Sequence, residues 1–230
     1  MSEFFALHEL SILRYFHILA MVFWLGGEWG VFQTSYKVVN SELTAPERLR
    51  HLDTVFRIDV LARIGIVSLL PLGLHMGYLW GLQPYGGVIL TVVWILWAIL
   101  VAITLFAFRD KMAKNKSIFG HLEDWSRYVL IPSLLVVGAT SLLGMGPFEA
   151  GEGQKWYSIK LIIFSAAIVI GLVLRHFLHS WPGIFATLMK GPNAEAEMQL
   201  AKSIRASRRV AFMYWTAILA AGFFGALKPV

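Results

Sequence analysis

The chain has 230 residues, 57% of them hydrophobic and only 15% charged, with a mean hydropathy of +0.66. Soluble domains carry about a quarter charged residues, so this composition belongs to a membrane protein. There is no cysteine, which excludes disulfides, thiolate metal ligands and the Cys-x-x-Cys-His attachment of c-type haem. The net charge of +6 does not mark a nucleic-acid binder, because the basic residues fall between the apolar runs, where membrane topology accounts for them.

In chain order, the N-terminal MSEFFALHEL lacks a basic n-region and a small-residue cleavage site, so no signal peptide is expected. Six segments then reach the roughly 20 apolar residues that a hydrocarbon core requires. They cover about 11–35, 60–82, 87–108, 127–146, 157–180 and 210–227. The expected fold is all-α: one polytopic helix bundle spanning residues 1–230.

In the first span, a spacing of 100° per residue puts Arg14, His17, Met21, Trp24 and Glu28 on one stripe. The rest of that helix is apolar or small, so the stripe faces something other than lipid. The capping box Thr44-Ala-Pro-Glu47 then predicts a short amphipathic surface helix with Leu49, Leu52, Val55 and Phe56 on its apolar side. In the second span His75 shares a stripe with Ser68, Pro71 and Tyr78, and Pro71 permits a bend. IVSLLPLG (66–73) and IPSLLVVG (131–138) echo each other, which suggests that spans two–three and four–five are a parallel duplication. After the fifth span, Asn193 predicts the cap of a second surface helix through MQLAKSIRASRR.

The loops after spans one, three and five are basic. They carry Lys37, Arg48, Arg50 and Arg57; then Arg109, Lys111, Lys114, Lys116 and Arg127; then Arg175, Lys190, Lys202, Arg205, Arg208 and Arg209. The opposite side has Arg14, Lys155 and Lys228. By the positive-inside rule the basic loops are cytoplasmic and both termini lie outside.

Orientation converts sequence position into depth. At 1.5 Å per residue, His17 lies about 9 Å and His75 about 10 Å below the same outer face. A matched histidine pair on adjacent helices could hold a haem between two axial ligands, or a copper ion. Gly26, Gly27, Gly30, Gly73 and Gly77 would let a flat macrocycle approach the backbone, although such residues equally serve helix packing. Lys160 falls in the same layer, either snorkelling to water or binding an acidic group. Glu28 is deep and calls for a proton or a partner such as Arg63. His176 and His179 read as an interfacial cap, and His8, His51 and His121 as solvated. One site is therefore the natural count.

His17-x6-Trp24-x-Gly26, within FHILAMVFWLGG, resembles the first-span signature of a loose superfamily of bacterial membrane proteins. It includes the CopD-like copper-resistance domains, the HemJ-type membrane protoporphyrinogen IX oxidases and the membrane domain of cytochrome-linked urate oxidases. WYSIKLIIFSAAIVIGLVLRH (156–176) is similar to a Trp-x3-Lys-Leu segment of the HemJ-type enzymes, which are haem b proteins. The resemblance implies His17 as a haem ligand, Lys160 as a functional cation and the bacterial cytoplasmic (inner) membrane as the location. The second axial ligand, His75, rests on depth alone.

These readings lead to one haem b with His17 and His75 as axial ligands, Trp24 and Tyr78 lining the pocket, and Arg14 or Lys160 near a propionate. The expected function is electron transfer between the quinone pool and a periplasmic partner or a substrate at the outer face. Protoporphyrinogen IX oxidation of the HemJ type is one alternative. Copper binding or transport by His17 and His75 with Met21 and Met76 is another. A purely structural subunit of the bilayer is the remaining one.

Overall fold

A computed structural model describes residues 2–113, 117–146 and 148–229; Lys114 and Lys116 of the second basic loop lie outside the described residues. It contains six helices: α1 (Ser2–Val38), α2 (Ala45–Leu79), α3 (Val88–Met112), α4 (Ile118–Leu142), α5 (Lys155–Leu188) and α6 (Ala194–Leu227). Five of them, all but α2, are long and apolar enough to cross a membrane, so the protein is a membrane-embedded helical bundle. In α2, Arg57, Asp59 and Arg63 interrupt the apolar run.

The two expected surface helices are not separate elements. The capping box at Thr44 opens α2, and the chain then stays helical through Leu79, Pro71 included. Glu47 accepts hydrogen bonds from both the backbone N–H and the hydroxyl of Thr44, which hold its carboxyl below the usual carboxylate range. Asn193 likewise caps α6, which runs unbroken from the basic segment into the apolar one. The polar portions have helical propensity and no breaker before the span, so nothing ends the helix at the interface.

What keeps these extensions off the membrane surface is their own core. Leu52, Val55, Phe56, Trp181, Phe185, Leu200 and Ile204 pack together with Val38 at the end carrying the α1–α2 and α5–α6 connections. Arg48, 1% exposed, locks that core. Its guanidinium donates to both carboxylate oxygens of Glu197 at 2.6 and 2.9 Å and to the Val38 carbonyl at 2.9 Å. Such a bidentate, charge-assisted pair fixes the register of α2 against α6.

Antiparallel packing of α1 on α2 sets the level of everything else. Gly30 meets Ile58, Gly27 meets Ala62, Gly65 meets Ala20 and Trp24, and Gly73 meets His17. Along this seam Gly65 allows the closest approach: a Cβ there would sit 2.6 Å from the Ala20 carbonyl oxygen and 2.8 Å from the Trp24 nitrogen. Both are backbone atoms that cannot swing aside. Gly65→Ala is therefore expected to push the helices apart and lower stability by about 1–3 kcal/mol. Thermal unfolding in detergent followed by circular dichroism would read this; an unchanged midpoint would contradict the tight seam.

Candidate functional site

Two polar constellations sit at different levels of the bundle. The first surrounds His17. A cavity opens between α1, α2, α5 and α6. Its wall is apolar, built from side chains such as Leu69, Phe164, Trp80 and Trp156, with Trp24 at its inner end. Three polar groups converge on it. The Lys160 ammonium lies 3.4 Å from His17 Nε2, and the Tyr157 hydroxyl joins them from the same helix as Lys160. Among the described residues, His17 Nδ1 and the Tyr157 hydroxyl are both buried without a hydrogen-bond partner. Two orphaned polar atoms in one cavity are costly unless something occupies it.

The Lys160 side chain is packed against α6. Its chain lies against Gly225, where a Cβ would come 2.7 Å from Nζ. A second cation lies over two tryptophans of the cavity wall. Lys228 caps α6 in a left-handed conformation (φ 47°), an uncommon choice for a residue with a side chain, and sets its ammonium 4.1 Å from the Trp80 ring centre and 5.4 Å from that of Trp156.

The sequence-derived site residues divide as follows. His17, Met21, Trp24, Met76 and Lys160 come together around this cavity. His75 does not join them. Its Nδ1 accepts the Trp94 indole N–H at 3.3 Å and its Nε2 lies 3.3 Å from a Glu9 carboxylate oxygen, so both ring nitrogens are engaged elsewhere. Gly73, two residues before it, is the one that faces the His17 ring. Two helical residues turn the side chain by about 200°, so similar depth does not bring similar direction. Arg14 is exposed on α1, and Tyr78 packs over Gly86. Tyr157, Trp80 and Lys228 were not singled out from sequence, although Tyr157 lies within the WYSIK segment and i, i+3 spacing places it beside Lys160.

The second constellation is an ionic lock nearer the basic loops. Glu123 of α4, 2% exposed, receives Arg63 of α2 at 2.9 Å, Arg127 of its own helix at 2.9 Å and Arg175 of α5 at 2.8 Å. Thr104 of α3 donates to the same carboxylate at 3.4 Å. Asp59 takes Arg63 at 3.1 Å, and Asp124 takes Arg175 at 2.9 Å and Arg127 at 3.3 Å. Three guanidinium groups thus face three carboxylates at the meeting point of four helices. Arg63 spends its hydrogen bonds here and makes none with Glu28, its expected partner. His179 stands at the rim of an adjoining cavity, and His176 is exposed beside Phe177.

The chain is thus a polytopic helical membrane protein with an apolar, cation-flanked cavity toward its termini and a buried ionic lock toward its basic loops. No protein family, curated protein or solved structure compared with it matches.

Proposed function

We propose that the His17 cavity binds haem b and that the protein is a redox carrier of the bacterial inner membrane, with six spans and both termini periplasmic. Electrons would pass between the quinone pool and a partner or substrate at the outer face. The observation that carries this reading is the buried, unpartnered His17 Nδ1 beside Lys160 in an apolar cavity.

The donor set fits haem held by one imidazole, not by two, because His75 is committed to Trp94 and Glu9. His17 would hold the iron, Lys160 and Lys228 would face the carboxylates, and Gly73 leaves the His17 ring room on the α2 side. When bound, haem supplies a one-electron couple. The tryptophans and leucines exclude water, which strengthens each charge interaction inside. The adjacent cation favours an acidic ligand over a bare metal ion. The same cations would suit a porphyrinogen carboxylate, the substrate of a HemJ-type enzyme.

A second reading, copper, draws on Met21 and Met76, whose thioethers line the same cavity and suit Cu(I). Detergent-purified protein from haem-replete cells separates the two. A reduced-minus-oxidised band of b type supports haem, whereas bound copper without that band supports the second reading. Lys160→Met is expected to weaken haem retention about tenfold or more, and Lys160→Arg to restore part of it, as pyridine haemochrome assays would show. Equal retention in Lys160→Met would remove Lys160 from the site.

A further inference from the structure

Glu28 takes no part in either constellation. Among the described residues no hydrogen bond or ion pair reaches its carboxyl group, yet it lines two cavities, of about 500 and 390 Å³. The groups facing it come from every neighbouring helix: Asp59 and Arg63 from α2, Arg127 from α4, Arg175 from α5, Arg208 and Tyr214 from α6. The three arginines other than Arg208 already face Glu123, Asp124 and Asp59 in equal number. Arg208 donates to Ser35 and stacks on Tyr36. Arg208 keeps a buried Nη2 without a hydrogen-bond partner but, among the described residues, makes no ion pair with Glu28, so that carboxyl group is left without a cation and a proton is the simplest neutralising partner for it.

The polar lining around Glu28 continues to one side. The larger of its cavities shares Asp59, Arg63 and Arg175 with a third, of about 680 Å³, which extends to Lys111, Ser117 and Gly120 beside the α3–α4 connection. His179 stands at that rim, exposed. Toward the termini the polar lining ends: a further cavity shares Ile66, Arg127 and Ile168 with the Glu28 cavity and Leu70, Leu74 and Phe164 with the His17 cavity, but its wall on that side is apolar, and apolar cavities stay dry. Tyr214, on the Glu28 cavity, accepts a 2.9 Å hydrogen bond from the indole N–H of Trp24, on the His17 cavity. Phe164 packs edge-on against Trp24. An indole is a donor without an acceptor site, so it cannot hand a proton onward.

We infer that Glu28 is a proton-binding site, loaded from water at the face of the basic loops through the cavities around Asp59 and Arg63, and sealed from the His17 cavity by the Trp24–Tyr214 pair and the apolar wall beside it. Loading is a simple exchange: the carboxylate takes a proton from hydronium and releases water. It does not depend on what His17 holds.

Infrared difference spectroscopy of the full chain in sealed vesicles of known orientation, without added cofactor, tests this. A protonated-carboxyl C=O band should be present in the wild type, absent in Glu28→Gln and shifted in Glu28→Asp. The band should follow a pH step applied at the basic-loop face and ignore one applied at the other. Trp24→Ala, which removes the indole standing between the two cavities, should let it respond from both. Identical spectra for wild type and Glu28→Gln would overturn the assignment, as would a band indifferent to pH from either side. A wild-type band that answers equally from both faces would overturn the seal. Should Glu28→Gln fail to fold, an unshifted band in Glu28→Asp would overturn the assignment instead.

Discussion

His17→Ala is expected to yield protein without the b-type difference spectrum, while His75→Ala keeps it. The two histidines lie at similar depth on neighbouring helices, and a depth argument alone makes them equivalent. Their surroundings do not. His17 lines a cavity and keeps one ring nitrogen unpartnered, so removing its ring removes that free ligand. His75 sits between Trp94 and Glu9, and its loss frees an indole N–H and a half-exposed carboxylate instead. Those bonds are worth about 1 kcal/mol each, so His75→Ala should lower the unfolding midpoint and leave bound pigment within about twofold of wild type. Loss of the spectrum in both variants would reinstate a two-histidine site and require α2 to rotate on binding. Survival of the spectrum in His17→Ala would remove the haem from this cavity altogether.

The contrast shows where sequence reading reaches and where it stops. Apolar runs, loop charge and the caps at Thr44 and Asn193 are local, and a helix at each apolar run follows from them. Helix length beyond the membrane is not local. The stretch after Thr44 and that after Asn193 look like interfacial helices one at a time. They become bundle extensions because Arg48 of one binds Glu197 of the other, 149 residues away. The His17–Lys160 meeting could be anticipated because both residues fall in one layer on polar stripes. The direction of His75 could not, since it depends on which side of α2 faces α1, and that is set by Gly65 and Gly73. Glu123 escaped notice for a similar reason. Residues 118–127 read as loop and helix start, where a carboxylate is ordinary, and its burial exists only once α2 and α5 bring Arg63 and Arg175 to it.

Glu123→Gln should be among the most destabilising single changes in the molecule. The side chain keeps its size, so packing is held nearly constant and the charge alone is removed. Exposed ion pairs contribute at most about 1 kcal/mol, and were Glu123 of that kind the variant would unfold almost like wild type. It is buried, however, and three guanidinium groups depend on it. Removing it leaves three buried cations facing two carboxylates, a change that costs about 3–5 kcal/mol. Restoring the balance separates charge from shape. The double variant Glu123→Gln, Arg127→Met returns the lock to two against two, Arg63 with Asp59 and Arg175 with Asp124. It should be more stable than Glu123→Gln alone, even though it carries one more substitution. Thermal unfolding of the wild type, Glu123→Gln, Arg127→Met and the double variant in one detergent would measure this as a non-additive coupling. Additive losses would mean that Glu123 holds the helices by hydrogen-bond geometry and not by charge. A rescue would identify charge balance among α2, α4 and α5 as the condition for packing four helices around an ionic centre.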